Sequence, residues 1–270
     1  MMREKSLTRI YNEVVPSGFL LREVKADIYF PPGKDSGEVS LLLINDGQDL
    51  ITMHFDEILE SLYEQGAIRP LVCVGIHCGE DRRNEYGTVG ERDYKGRGAK
   101  AGQYEKFIFQ ELLPTLDQHL DDYRITDLSF CGFSLGGLSA LDIVWRNPGT
   151  FRRVGVFSGS LWWRSIAQDH PDFVEEEHRI MHNRIREGDF APHLRFFFET
   201  GTLDETADRN NNGIIDSIDD TLSLINELIR KGYSAEDIRY VELKDGRHDV
   251  KTWGRAFPLF LKWGWGQSAL

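Results

Sequence analysis

The sequence has no long apolar run, no excess of basic residues and few cysteines. No apolar segment approaches the roughly 20 residues that a membrane-spanning helix needs, and the start, Met1–Thr8, lacks the apolar core of a signal peptide. Acidic residues outnumber basic ones by 44 to 32, a net charge of −12, which argues against nucleic acid and anionic membranes as partners. We therefore predict a cytoplasmic protein. We expect Cys73, Cys78 and Cys131 to be buried free thiols, because each lies in or beside an apolar run.

The 270 residues are enough for one α/β domain with a sizeable core. Continuous apolar runs such as Val39–Ile44 and Leu71–Ile76 are typical of strands covered on both faces, and segments with helical apolar spacing alternate with them. Residues 7–15 and 20–30 predict an antiparallel hairpin before the first buried strand. This order predicts a mostly parallel central sheet flanked by helices, with the polar residues 160–192 as a small cap insertion.

Ser134 lies at the centre of the pentapeptide Gly-Phe-Ser-Leu-Gly, residues 132–136. A strand-like run precedes this pentapeptide and a segment with helical apolar spacing follows it, which is the setting of a nucleophile elbow. The glycines are needed because the turn is too tight for side chains beside the serine. The alternative is a glycine-rich turn whose serine only caps the helix. We predict that Ser134 is a catalytic nucleophile.

Asp204 and His248 complete a triad in the order serine, acid, histidine, each just after a predicted strand. A serine hydroxyl is a weak nucleophile until a base removes its proton. His248 would be that base, and Asp204 would fix its tautomer and stabilise the imidazolium. The alternative for His248 is a solvated loop histidine. Three other carboxylates are close enough in sequence to compete for the acid role: Glu199, Glu205 and Asp208.

An oxyanion hole for the tetrahedral intermediate needs two backbone N–H groups. Leu135, which follows the nucleophile, is expected to supply one of them. The other should come from the turn after the first central strand, Asn45-Asp46-Gly47-Gln48, where we favour Gln48. The alternative is an Asp-Gly turn with no further role.

Residues 208–219 have the spacing of a calcium loop. Oxygen-bearing side chains stand at positions 1, 3, 5, 9 and 12 and glycine stands at position 6, while position 7 would offer a backbone carbonyl. The predicted ligands are Asp208, Asn210, Asn212, Ile214 through its carbonyl, Asp216 and Asp219. An aspartate at position 12 should bind more weakly than a bidentate glutamate. The alternative is an Asn/Asp-rich turn that binds nothing. We expect a structural Ca²⁺ and no cofactor for catalysis, since triad chemistry needs none.

Four segments together resemble the putative-esterase family of α/β-hydrolases: Asn45–Gln48, Gly132–Gly137, Ser158–Trp163 and His248. This family includes siderophore esterases, feruloyl esterases, S-formylglutathione hydrolase and mycolyltransferases. The resemblance runs from about residue 20 to the end, and the double tryptophan is most similar to the siderophore branch. It implies an α/β-hydrolase fold with Ser134 as nucleophile, His248 as base and Asp204 at the usual acid position. It also places Arg83 in the loop where the siderophore branch carries an arginine that can meet an anionic substrate.

We therefore predict a serine carboxylesterase that acts on a small-molecule ester through an acyl-enzyme. The predicted pocket residues are Arg83, Tyr86, Trp162 and Trp163. Core packing is the alternative for the tryptophans, and a solvated loop charge is the alternative for Arg83. Two other functions stay open: an acyltransferase on the same scaffold, and a catalytically silent calcium-binding or interaction module.

Overall fold

An eight-stranded sheet forms the centre of the computed structural model, which describes residues 8–267. The strands are β1 Arg9–Ser17, β2 Arg22–Phe30, β3 Gly37–Asn45, β4 Leu71–Ile76, β5 Tyr123–Phe133, β6 Phe151–Phe157, β7 Arg195–Leu203 and β8 Ile238–Arg247. Their order across the sheet is β1-β2-β4-β3-β5-β6-β7-β8. Strands β1, β2 and β4 pair in antiparallel fashion, and all other neighbours are parallel. The predicted fold class, a mostly parallel sheet with an antiparallel N-terminal hairpin, is confirmed.

Helices cover both faces of this sheet. They are α1 Asp49–Met53, α2 Phe55–Glu64, α3 Arg82–Glu85, α4 Ala101–Phe107, α5 Leu113–His119, α6 Leu135–Arg146, α7 Glu175–His178, α8 Ile180–Glu187, α9 Asp216–Lys231 and α10 Val250–Trp265, with a π-helical turn at Ile108–Leu112 between α4 and α5. Helices α4, α5, α6, α8 and α9 contribute to one apolar cluster, and α1, α2 and α10 contribute to the other. The core is therefore split into two layers by the sheet.

The continuous apolar run in β3 is explained by these two layers. Leu41 and Leu43 belong to the cluster on one face, whereas Leu42 and Ile44 belong to the cluster on the other. Successive side chains of a strand point to opposite faces, so a strand covered on both sides needs apolar residues at every position.

The structure tests the predictions about buried thiols and about membrane-spanning segments. Cys73 and Cys131 are buried, but Cys78 is partly exposed because it lies beyond the end of β4. Within the described residues, no helix has both the length and the apolar character required to span a membrane. The segment Met1–Leu7 lies outside the described residues. It includes the residues used for the prediction about a signal peptide and the first residue of the predicted hairpin. The cytoplasmic location stays a prediction.

Two element boundaries lie next to the predicted site. Strand β8 continues through Asp245 and Gly246 to Arg247, because its pairing with β7 resumes at Leu203 after a register shift. Helix α9 begins at Asp216 and so includes the last positions of the predicted calcium loop.

Candidate active site

The turn between β5 and α6 holds Ser134 in a strained conformation. Its φ of 53° and ψ of −122° are rare for a residue with a side chain. A Cβ atom added to Gly132 would lie 2.5 Å from the Gly136 backbone, and one added to Gly136 would lie 2.6 Å from Asp46 Oδ2. The Ser134 N–H donates to the Phe157 carbonyl at 2.8 Å. The flanking glycines are thus needed for close backbone approach, as the sequence predicts.

A cavity of about 250 Å³ opens at the carboxyl ends of the central strands. Its lining includes the three predicted catalytic residues, Ser134, Asp204 and His248, which come from segments after β5, β7 and β8. The remaining lining residues are Ser158, Gly159, Ser160, Trp162, Glu205 and Ser217. A larger cavity of about 540 Å³ lies between α2 and α10 and is lined by none of the predicted catalytic residues. The fold therefore brings these three predicted residues together at the smaller cavity.

The three side chains have other neighbours in this arrangement. The Ser134 Oγ lies 3.4 Å from the Ser160 Oγ, and Asp204 Oδ2 accepts from the Gly201 N–H at 3.1 Å. The His248 ring packs edge-on against Trp253, with ring centroids 5.4 Å apart. No hydrogen bond links the three triad side chains to one another in the described part of the chain. Catalytic hydrogen bonds are often long before substrate binds and tighten in the complex.

Charge and burial shift the proton affinities of the histidine and the acid. The pKa of His248 is lowered because the atoms packed on its ring displace water, and the positive charge of Arg82 lowers it further against the opposing effect of Asp204. Burial raises the pKa of Asp204, while the Gly201 N–H and the His248 charge oppose that rise. The imidazole is therefore uncharged at neutral pH, which is the form that a general base requires.

The turn after β3 lies directly against the elbow. Asn45 Nδ2 donates to the Gly136 carbonyl at 2.8 Å, and Gln48 is the residue before α1. The Gln48 side chain accepts from the Cys78 N–H at 3.1 Å. Among residues 8–267, neither the Gln48 N–H nor the Leu135 N–H has a hydrogen-bond acceptor. Two free donors next to the elbow are what an oxyanion hole requires.

The predicted pocket residues do not all reach the cavity. Trp162 lines it, whereas Trp163 is fully buried and donates from Nε1 to Thr88 Oγ1 at 3.2 Å. Tyr86 is also fully buried, and its hydroxyl accepts from the backbone N–H of Asp46 at 3.2 Å. Gly87 and Gly98 of the long loop after β4 lie against the Trp163 ring, and Tyr86, on the same loop, packs against Tyr104. Arg83 is not among the residues that line the cavity.

Arg82 reaches the elbow beside Ser134, although it does not line the cavity either, and the sequence did not single it out. Its guanidinium forms a bidentate pair with Asp46 at 2.7 Å for each contact and lies 3.4 Å from the Phe133 carbonyl. Arg82 starts the short helix α3, whose phase directs Arg82 toward the elbow and not Arg83. The only sequence signal was the adjacent pair of arginines, which does not reveal which one faces the site.

The predicted calcium loop is closed by its own hydrogen bonds. Asp208 accepts from the N–H groups of Asn212 and Gly213 at 3.1 and 2.9 Å, and Asn210 Nδ2 donates to Asp219 at 2.8 Å. Asp216 accepts from the Arg209 N–H at 2.9 Å. Within residues 8–267, no group of three or more Asp, Glu, His or Cys side chains is arranged to hold a metal ion. A cation would therefore need the asparagine and carbonyl oxygens of the loop as well.

Comparisons with known proteins support the family and the fold. A family model described as "Putative esterase" matches residues 17–263. The enterobactin esterase FES from Shigella flexneri, solved in the presence of enterobactin, is 21% identical with a TM-score of 0.71; the match covers 94% of this chain and 58% of that one. The siderophore hydrolase EstB from Aspergillus nidulans is 17% identical with a TM-score of 0.70, and 97% of each chain is covered.

A structure named ferulic acid esterase is similar as well, with 17% identity, a TM-score of 0.67 and coverage of 96% of this chain and 97% of that one. The chain spans 58% of the length of the Shigella enterobactin esterase but nearly all of the fungal hydrolase. No curated protein sequence matches the chain. At these identities the likeness to solved structures shows the fold alone.

Proposed function

The chain belongs to the putative-esterase family, and on that premise we propose that it is a serine carboxylic-ester hydrolase that acts through a Ser-His-Asp triad and an acyl-enzyme. The observation that carries the proposal is the strained elbow at Ser134, which opens into the cavity that His248 and Asp204 also line. Strain of this kind at a non-glycine residue is typical of functional sites.

In the proposed reaction, Ser134 Oγ attacks the carbonyl carbon of the ester while His248 takes the hydroxyl proton. The oxyanion of the tetrahedral intermediate accepts hydrogen bonds from the backbone N–H groups of Gln48 and Leu135. The intermediate collapses, and the alcohol leaves with the proton held by His248. Water then attacks the acyl-enzyme with His248 again as base, which releases the acid and restores the Ser134 hydroxyl.

The substrate in this proposal is a small-molecule ester. The solved structures it resembles are named for enterobactin, siderophores and ferulic acid, and here the cavity has a tryptophan, Trp162, in its lining. Trp162 lies near the start of the segment 160–192, which we propose as a small cap over the site. Contacts of Arg179 with Asp220 at 3.1 Å and of Arg209 with Glu175 tie this segment to α9 and to the loop before it.

Labelling by a fluorophosphonate probe tests the proposal directly. The expected result is a covalent adduct on Ser134 in folded protein, located by peptide mass spectrometry, together with turnover of p-nitrophenyl esters. Absence of the adduct would favour a catalytically silent module. A product that forms only when an alcohol acceptor is added would instead support acyl transfer on the same triad.

Replacing Asp204 with asparagine should lower kcat by about 10³- to 10⁴-fold, because the amide would hold His248 in the wrong tautomer. The matched control is Glu205→Gln, which neutralises the neighbouring carboxylate of the same cavity and should cost less than tenfold. Steady-state kinetics with a p-nitrophenyl ester would measure both. A larger loss for Glu205→Gln than for Asp204→Asn would assign the acid to Glu205.

We also propose that the loop 208–219 binds a structural Ca²⁺. Calcium at 100 times its Kd should stabilise the fold by about 2.7 kcal/mol and raise Tm by several degrees, as measured by differential scanning calorimetry. Mg²⁺ should have a smaller effect because it tolerates the loop geometry poorly. The variant Asp208→Ala should abolish the calcium-induced rise in Tm. A wild-type Tm that changes with neither calcium nor chelator would refute the site.

A further inference from the structure

Glu199 is a buried carboxyl that the proposed mechanism does not use. It lies on β7 opposite Phe157 of β6 and is 1% exposed. Its main-chain carbonyl accepts from the Ser158 N–H at 2.8 Å, and its Oε2 lies 3.5 Å from the Ser158 Oγ. Its other oxygen, Oε1, is buried with no hydrogen-bond partner among the described residues. Leaving such a group unsatisfied is costly, so this carboxyl requires an explanation.

Asp204, five residues further along the chain, also has a buried oxygen, Oδ1, without a hydrogen-bond partner in the described part of the chain. The two carboxyls repel each other electrostatically. Two ionised carboxylates that repel each other disfavour each other, and one of them then keeps its proton. Within the described residues, each carboxyl of this pair has one bare, buried oxygen atom.

The hydroxyl of Ser158 cannot serve both carboxyls. It stabilises the ionised form of each group, and its oxygen accepts from Trp253 Nε1 at 3.0 Å. A serine hydroxyl has one proton to donate, so only one carboxyl at a time can receive it. A neutral carboxyl would supply the second donor from within the pair.

We propose that Glu199 is held as a neutral carboxylic acid and positions Asp204, by donating its proton in a hydrogen bond that fixes the Asp204 carboxylate for His248. This role rests on the proposed function of Asp204 as the acid of the triad. Glu199 touches neither substrate nor nucleophile in this account, so it is a positioning residue. The Glu199–Asp204 pair then carries one negative charge, which would stabilise an imidazolium at His248.

The surroundings of Glu199 favour the neutral acid at physiological pH. Burial and then the charge of Asp204 raise its pKa to about 8, while Ser158 and the Arg255 guanidinium on α10 oppose that rise. Tyr240 on β8 belongs to the cluster on the other face of the sheet, where its hydroxyl lies 2.6 Å from Thr200 Oγ1. Above pH 8, a second negative charge would appear beside Asp204 and disturb the positioning.

The test compares Glu199→Gln, which keeps a neutral hydrogen-bond donor, with Glu199→Leu, which removes it. We expect kcat/KM of the wild type to fall above about pH 8. Glu199→Gln should stay within about threefold of wild type at pH 7 and should lack that alkaline fall. Glu199→Leu should lose at least tenfold in kcat at every pH, with KM little changed.

A second readout does not depend on turnover. The folded wild type keeps the Glu199 proton to about pH 8, whereas the unfolded chain loses it near the ordinary value of 4.5. The unfolded state therefore binds fewer protons between these values, and wild-type stability falls as pH rises through that window. The Tm difference, Glu199→Gln minus wild type, should therefore increase from pH 6 to pH 9.

The outcomes separate this inference from the proposed function. An alkaline fall that persists in Glu199→Gln, or a loss in that variant as large as in Asp204→Asn, would overturn the positioning role. A Tm difference that is flat with pH would overturn the neutral acid. If a fluorophosphonate fails to label wild-type Ser134, the esterase proposal fails and the positioning role fails with it, but the Tm comparison still decides the protonation state of Glu199.

Discussion

Replacing Ser134 with alanine is expected to lower kcat for p-nitrophenyl esters by roughly 10⁵-fold, because its hydroxyl is the proposed nucleophile at the elbow that opens into the cavity. A small residual rate over the uncatalysed reaction should remain, since the oxyanion donors and substrate binding survive the substitution. Adduct formation with a fluorophosphonate should disappear completely. Single-turnover and steady-state kinetics on the same preparation would measure both effects.

The matched control for this serine is Ser160→Ala. Its hydroxyl lies 3.4 Å from the Ser134 Oγ and faces the same cavity, so it is the nearest competing nucleophile. We expect a loss of less than tenfold and an unchanged adduct site. Turnover that survives in Ser134→Ala and disappears in Ser160→Ala would transfer the nucleophile to Ser160 and contradict the reading of the elbow.

Replacing His248 with alanine should cost about as much as removing the serine, roughly 10⁵-fold in kcat, because the triad acts as a unit. The hydroxyl then lacks a base, and the leaving alcohol lacks a proton donor. Added imidazole should restore part of the rate, since the lost side chain leaves space beside Trp253. The rescue is measured as the increase of kcat with imidazole concentration at pH 7.5.

His77 provides the control for His248. It lies just after β4 and pairs with Asp27, with His77 Nε2 and Asp27 Oδ2 2.6 Å apart, so it is a second histidine-aspartate pair next to a strand end. It does not line the cavity with Ser134, and His77→Gln should therefore keep kcat within a few-fold of wild type. Equal losses in the two variants would mean that the histidines act through stability, which Tm measurements on both would reveal.

The His248 pKa gives the wild-type profile a defined acid limb. Because burial and Arg82 lower that pKa, the imidazole stays unprotonated below the ordinary value of about 6.5. Catalysis should then persist into mildly acidic solution before it declines. Together with the alkaline limb assigned to Glu199, this predicts a broad plateau around neutral pH.

Much of the architecture follows from local sequence patterns. The run Leu41–Ile44 is apolar at every position, which only a strand covered on both faces requires, and the structure divides these side chains between its two cores. The glycines around Ser134 likewise reveal a turn in which backbone segments approach within side-chain distance. Such patterns are readable because the constraint acts on residues that are adjacent in the chain.

Other features depend on how distant segments pack. Sequence spacing could not select Arg82 over Arg83, or Trp162 over Trp163, because adjacent residues of a loop differ only in the direction that the folded loop gives them. It also identified Glu199 only as a competing acid. The neutral acid proposed there depends on burial between β6, β8 and α10, which no local pattern reports.

By itself, the sequence determined the fold class and the family, together with the order in which Ser134, Asp204 and His248 follow the strands, because strand and turn signals are local. The tertiary structure decided which side chains share the cavity and how the environment shifts the pKa values of Asp204, His248 and Glu199. Desolvation and charge depend on every atom within several ångströms of a group, and most of those atoms belong to residues far away along the chain.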